Sequence, residues 1–175
     1  RSIDGGTTWT STTNAGHTDT HALVFGSAGS NTVYRGHDGG VSKSTDNGSS
    51  WSYVNGNLAI TQFYSMATNY LRPSDVWGGS QDNGTSQGPT SGSVWKIRFG
   101  GDGMIANVDF TNPDIAYGET QNGKHFRIMG EQRDNINIGI AEAGGWVTPV
   151  VMHPDTPMVL YTATSRIYKT TNRGD

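Results

Sequence analysis

The residues of this chain with chemistry to offer are five carboxylates and a set of amides and imidazoles, most of them beside a glycine or at the end of a short apolar run. Asp19, Asp38, Asp82, Asp102 and Glu119 could supply a carboxyl pair, one protonated as acid and one ionised as base or nucleophile, as glycoside hydrolysis requires. A separation of about 5 Å or of about 6.5–9.5 Å would set the stereochemical outcome. His21, His37, Gln81, Asn83, Gln121 and Asn122 could hold a polar ligand through hydrogen bonds. Asp19 and His21 stand two apart, which on a strand places both on one face; with His37 and Asp38 they offer oxygen and nitrogen donors to a divalent ion. That donor set is short of a full shell, so the expectation is hydrogen bonding rather than metal, and no cofactor. The Asp-Gly and Asn-Gly steps at 38–39, 83–84, 102–103 and 122–123 are also what hairpin loops demand. Turn chemistry accounts for these residues first, ligand binding second and catalysis third.

The elements that must position them are announced by repetition. Ser44-Thr45-Asp46-Asn47-Gly48-Ser49-Ser50-Trp51 is a near copy of Ser2-Ile3-Asp4-Gly5-Gly6-Thr7-Thr8-Trp9, and 171–175 begins a third version. In such an octapeptide the aspartate is expected to accept backbone N–H groups two or three residues on, and glycine supplies the positive φ. The tryptophan (Trp9, Trp51) is expected to start the next strand and to pack between neighbouring sheets. Ser2, Asp4, Gly6, Ser44, Asp46 and Gly48 are therefore structural.

The repeat is wider than the octapeptide. Segments 22–43, 65–84, 106–123 and 150–169 each carry an apolar strand, a polar turn and a hydrophobic–aromatic pair: Val33-Tyr34, Val76-Trp77, Ala116-Tyr117 and Leu160-Tyr161. The aromatics are 43, 40 and 44 residues apart. A period in the low forties with several short strands per unit is that of β-propeller blades, and no stretch shows the 3.6-residue spacing of a helical array. Approximate blades are 1–16 (an outer edge only), 17–58, 59–101, 102–145 and 146–175 (incomplete). The third has its outer strand at 93–99, after an octapeptide position at 86–95 that keeps only the tryptophan. The fourth has a degenerate turn at 130–135 and an outer strand at 137–141. Trp51, Trp77, Trp95 and Trp146 recur at blade scale and are assigned to packing between blades, and Tyr64 likewise.

Composition supports short strands and tight turns: 25 glycines in 175 residues, 10% aromatic and 15% charged. A net charge of −3 gives no basic stripe for nucleic acid. No run of about 18 apolar residues provides a membrane-spanning helix. There are no cysteines, hence neither disulfide nor thiolate chemistry. Opening inside one octapeptide and stopping inside another, the chain reads as a segment of a longer propeller, whose other blades would be its partners.

Together with 19–23, 36–41 and Gly79-Ser80-Gln81-Asp82-Asn83-Gly84, the octapeptides resemble the Asp-box, or bacterial neuraminidase repeat, of propellers in the sortilin-like and xyloglucanase-like group of secreted bacterial proteins. The resemblance covers nearly the whole chain. It implies an all-β propeller of four-stranded antiparallel blades and an extracellular or periplasmic location, and it is poor for function, since such propellers include enzymes, receptors and scaffolds. No arginine triad of the sialidase kind is visible.

In a four-stranded meander the octapeptides lie on one face and the turns between second and third strands on the other. Three groups share that second face: Asp19, His21, His37 and Asp38; Gln62, Gln81, Asp82 and Asn83; Asp102, Glu119, Gln121 and Asn122. The expected role is a non-catalytic module presenting this face to a protein or glycan. The alternative is part of a glycoside hydrolase completed by further blades.

Overall fold

The computed structural model describes residues 1–12, 16–90 and 94–175. Part of the expected outer edge at 1–16, the start of the expected strand at 93–99 and part of the octapeptide position at 86–95 lie outside the described residues. All described regular structure is β, in four antiparallel sheets whose strands run in chain order. Sheet 1 comprises β1 (Thr20–Phe25), β2 (Val33–His37), β3 (Gly40–Ser44) and β4 (Ser52–Tyr53). Sheet 2 holds β5 (Phe63–Asn69), β6 (Arg72–Ser80), β7 (Gly84–Pro89) and β8 (Lys96–Phe99). Sheet 3 holds β9 (Ala106–Val108), β10 (Ile115–Thr120), β11 (Lys124–Met129) and β12 (Gln132–Asn135). Sheet 4 has three strands, β13 (Val150–Met152), β14 (Leu160–Ala163) and β15 (Ile167–Thr170). The four hydrophobic–aromatic pairs all fall on second strands: β2, β6, β10 and β14.

The chain divides into two units, Arg1–Ile60 and Thr61–Asp175. In the second, sheets stack face to face. Trp77 and Phe99 of sheet 2 meet Ala106, Val108, Ala116 and Ile128 of sheet 3 in one cluster. Ile115 and Tyr117 meet Leu160 of sheet 4 in another. Sheet 3 is covered on both faces, and Ile115 through Glu119 are accordingly buried without alternation. Burial of a side chain such as Phe99 contributes about 1.5–3 kcal/mol. In the first unit the buried face of sheet 1 is largely polar, with Arg35, His37, Ser42 and Ser44 beside Val33.

The outer strand of sheet 3 differs from expectation. Residues 132–135, read as a degenerate turn, are the strand itself, and its register runs from Phe126↔Asn135 to Met129↔Gln132. Gly130 and Glu131 suffice for the connection because Gly130 takes φ 59°. The segment 137–141, read as that strand, lies beyond it. Asn137 instead accepts the His125 N–H at 2.7 Å and donates to the Gly123 carbonyl at 2.6 Å. Asn55 does the same in sheet 1, accepting from Val41 at 2.7 Å and donating to Gly39 at 2.8 Å. This asparagine clasp on the turn between second and third strands is a repeat element absent from the sequence reading.

The octapeptides fold into a common turn. Ser2 and Ser44 hydroxyls donate to Asp4 and Asp46 at 2.8 and 2.7 Å and accept the Gly6 and Gly48 N–H groups at 2.9 and 2.8 Å. The carboxylates reach mainly four residues on, taking the N–H of Thr8 and Ser50 at 2.9 and 2.8 Å and both hydroxyls at 2.6 Å. Thr170, Asn172 and Gly174 reproduce the first half, with bonds of 2.6 and 3.1 Å. Of the two tryptophans, Trp51 is half-buried, and Trp9 departs from the packing expectation. Trp9 is 75% exposed and folds back so that its indole N–H donates to the Gly6 carbonyl at 3.1 Å. No sheet strand is formed by residues 1–12; Arg1 and Thr10 instead exchange two bonds of 2.8 Å.

Hydrogen bonds from Thr8 hold the Asp4 carboxyl down at about 2, and those from Ser50 hold Asp46 well below the usual carboxylate range. Their folded-state values are depressed, so their contribution is present above the ordinary aspartate value and lost as pH falls through the folded value. Asp46→Asn is expected to lower the urea midpoint at pH 7 and to narrow its gap from the parent at pH 2; an unchanged gap would show that the carboxylate charge is immaterial.

Candidate functional site

The first unit gathers Asp19, His21, His37 and Asp38 around the turn between β2 and β3. Asp19 lies before β1 with φ 51°, and the β1–β2 register shifts between Thr20 and Ala22. Asp19 precedes the strand and a bulge falls at His21, yet both side chains reach Asp38: the Asp19 and Asp38 carboxylates lie within 4.8 Å of each other, and His21 Nε2 contacts Asp38 Oδ1. His37 Nδ1 accepts the Gly39 N–H at 3.0 Å, which leaves the proton on Nε2, facing Ser42 Oγ at 2.8 Å. Burial, and then the Arg35 charge, push its pKa down. In this tautomer the imidazole cannot take a proton from Ser42, so the pair is a hydrogen bond and not a nucleophile with its base.

The second unit gathers the remaining candidates on the turns joining β6 to β7 and β10 to β11. Asp82 and Asn122 hold φ values of 57° and 64°, the left-handed conformation that short polar residues tolerate. Asp102 is buried and spans both turns. Its Oδ1 accepts the Asp82 N–H at 2.8 Å, and its Oδ2 accepts the Gln121 side-chain amide. Gln81 donates its N–H to the Gln62 carbonyl at 2.9 Å, and Asn83 Nδ2 donates to the Gln81 carbonyl at 3.0 Å. Glu119, wholly buried, accepts the Thr148 N–H at 2.7 Å and the Ile105 N–H at 3.4 Å. It thereby ties the segment entering sheet 4 to sheet 3. Asp102 and Glu119 thus meet the backbone and Gln121 rather than a solvent-filled cleft.

Burial raises the Glu119 carboxyl to about 7, against the opposing hydrogen bonds from Thr148 and Ile105. The sign follows from linkage: a raised folded value gives a contribution complete below the ordinary glutamate value and lost as pH rises through about 7. The urea midpoint of the parent is expected to fall between pH 5 and pH 8 and that of Glu119→Gln to change less; equal slopes would remove Glu119 as the source.

Two aromatics assigned to packing are in fact exposed on the second unit. Trp146 is 55% and Tyr64 37% exposed, and the Trp146 indole N–H points to the Tyr64 hydroxyl at 3.4 Å. Trp77, by contrast, is 3% exposed, as expected of a packing residue. Periodicity could not separate the two cases; the Gly144-Gly145 step before Trp146 was the available signal of a loop.

No protein-family model and no curated protein matches the chain. Among solved structures it is similar to a GH74 xyloglucanase from Xanthomonas campestris, with TM-score 0.52 and 15% identity over 88% of this chain and 28% of that one. A GH74 enzyme from Niastella koreensis matches with TM-score 0.47 and 13% identity over 89% and 28% of the two chains. An auxiliary nutrient binding protein from Bacteroides thetaiotaomicron matches with TM-score 0.47 and 14% identity over 88% and 38%. At such identity the likeness to the xyloglucanase is one of fold: the four sheets are blades of a β-propeller. The chain spans only 28% of that protein's length.

Proposed function

We propose that this chain is an Asp-box propeller module of the sortilin-like and xyloglucanase-like group, extracellular or periplasmic, which binds a protein or glycan and has no catalytic role of its own. The octapeptide turns support the Asp-box assignment. The observation that carries the binding role is the division of labour in Thr61–Asp175: the buried carboxylates Asp102 and Glu119 are committed to the fold, while Trp146, Tyr64 and Asn122 are left to solvent. A glycosidase needs both carboxyl groups against the scissile bond; a recognition surface needs exposed aromatic anchors ringed by amides.

The test is to incubate the protein with neutral oligosaccharides, measuring binding by calorimetry and new reducing ends in the same samples. Binding without hydrolysis is expected. Reducing-end release that is lost in Asp102→Asn or Glu119→Gln would sink the non-catalytic reading.

A further inference from the structure

Sheet 3 buries one face against sheet 4, and sheet 4 carries the equivalent face exposed. Three contacts define the buried pattern. Tyr117 packs on Leu160, His125 Nε2 meets Thr162 Oγ1 at 2.9 Å, and Asn107 Nδ2 donates to the Val150 carbonyl at 3.3 Å. Strand register carries these positions forward by one sheet. Tyr117 pairs with Asn107 and Arg127, and Glu119 with His125. Likewise Tyr161 pairs with Val151 and Lys169, and Ala163 with Ile167. Val151, Tyr161 and Ile167 therefore stand where sheet 3 has Asn107, Tyr117 and His125. His125 is 3% exposed, whereas Ile167 is 80% and Val151 60% exposed. The exposed face is thus the more apolar of the two, and apolar surface of this kind gains by leaving water.

The same register defines what receives such a face. On sheet 4 the receiving positions are Val150, Met152 and Leu160; on sheet 1 they are Leu23, Phe25 and Val33. Val33 opens its hydrophobic–aromatic pair as Leu160 does. Phe25 pairs with Val33 as Met152 pairs with Leu160, and Leu23 pairs with Arg35 as Val150 pairs with Thr162. Leu23 and Phe25 are 64% and 65% exposed, and with Val33 and Trp51 they line a cleft of about 510 Å³. Sheet 2 has Met66 and Thr68 at the places of Leu23 and Phe25, a smaller apolar target. We infer that the open face of sheet 4 in one copy of this chain docks on sheet 1 of a second copy, setting Tyr161 and Ile167 against Leu23, Phe25 and the cleft beside Val33. The contact is sheet-on-sheet packing, and it continues into a second molecule the interface that sheets 3 and 4 already make. Both halves of it are written in one chain by one repeat, which makes a second copy the matching partner. The two patches differ, so the association is head-to-tail. Lys169, whose ammonium lies 5.6 Å from the centre of the Tyr161 ring, keeps its stem on the ring and its charge at the rim.

The experiment is sedimentation velocity of the whole chain over a concentration series. Self-association that grows with concentration is expected. Ile167→Asp and Phe25→Asp each place a charge at an exposed position on one of the two faces, and each should weaken association at least about tenfold. Mixed in equal amounts, the two variants should form a one-to-one complex, because each retains the face that the other has lost. Ile138→Asp is the control: Ile138 is 83% exposed but lies on the segment after β12, so this variant should associate as the parent does. Thermal melts establish that the variants fold, and Ile167→Lys or Phe25→Ser replaces any that does not. A parent that stays monomeric at every concentration overturns the inference. A mixture of the two face variants that stays monomeric overturns it as well. So does association that Ile138→Asp weakens as much as Ile167→Asp, which would be unspecific adhesion. None of these outcomes touches the binding-module reading, which has its own test.

Discussion

Asp109→Ala is expected to lower the unfolding free energy by about 3–5 kcal/mol, the range for removing one partner of a buried, hydrogen-bonded charge pair. Asp109 closes β9 with its side chain wholly buried. Oδ1 accepts the Thr111 N–H at 2.8 Å, the Thr111 hydroxyl at 2.7 Å and the Asn112 N–H at 3.1 Å. Oδ2 accepts Arg173 through Nε at 3.1 Å and Nη2 at 3.0 Å, joining the half-octapeptide at the end of sheet 4 to the turn that begins β10. Alanine would orphan these donors and leave the guanidinium without its carboxylate. Burial by itself would raise the Asp109 carboxyl, but the hydrogen bonds from Thr111 and Arg173 outweigh it and hold the group below its usual value. That depressed value means the contribution exists above the ordinary aspartate range and disappears as acid titrates the folded group. Urea unfolding at pH 7 measures the loss, with Asp109→Asn, which keeps one acceptor oxygen, expected to fall between. A change under about 1 kcal/mol would show that the network is replaced by water.

Gly79→Ala is the second large effect, through geometry rather than charge. A Cβ at position 79 would stand 1.9 Å from the Met104 carbonyl oxygen, and that carbonyl also accepts the Ser65 hydroxyl at 2.9 Å. Met104 itself is fully buried. Backbone approaches backbone here, so no side-chain rotation relieves the clash, and sheet 2 must separate from the strand entering sheet 3. Overpacking of this kind costs about 1–3 kcal/mol, occasionally more; with backbone as the obstacle the loss is expected at or beyond the top of that range. Gly100→Ala is the matched control, because nothing lies within 4 Å of its Cβ position. It should stay within about 0.5 kcal/mol of the parent. Soluble yield and thermal melts of the two variants read the difference, and equal melts would mean that the approach at Gly79 relaxes freely.

Much of the architecture was legible before any coordinates. The hydrophobic–aromatic pairs mark second strands because a blade repeats one burial pattern, and the octapeptides mark turns because Ser, Asp and Gly at fixed offsets satisfy one another locally. The failures are equally specific. The outer strand at Gln132–Asn135 has little apolar content and looked like a turn; its place is set by pairing with Lys124–Met129, a partner supplied by topology. Asp19 and His21 were read as neighbours on a regular strand, whereas Asp19 precedes β1 and a bulge falls at His21. Trp146 resembled Trp77 in sequence spacing, but only the loop after sheet 3 and its fastening to Glu119 put it in solvent.

What the sequence determined by itself is what short-range chemistry can determine: the all-β class, the blade period, and the turns whose residues bond to neighbours within four positions. What the tertiary structure decided is which polar groups remain available. Asp102 and Glu119 look like an acid–base pair on paper, yet each is taken up by partners from 14 to 29 residues away in the chain. No local pattern encodes that, because whether a carboxylate meets solvent or a backbone N–H depends on which sheet lies opposite.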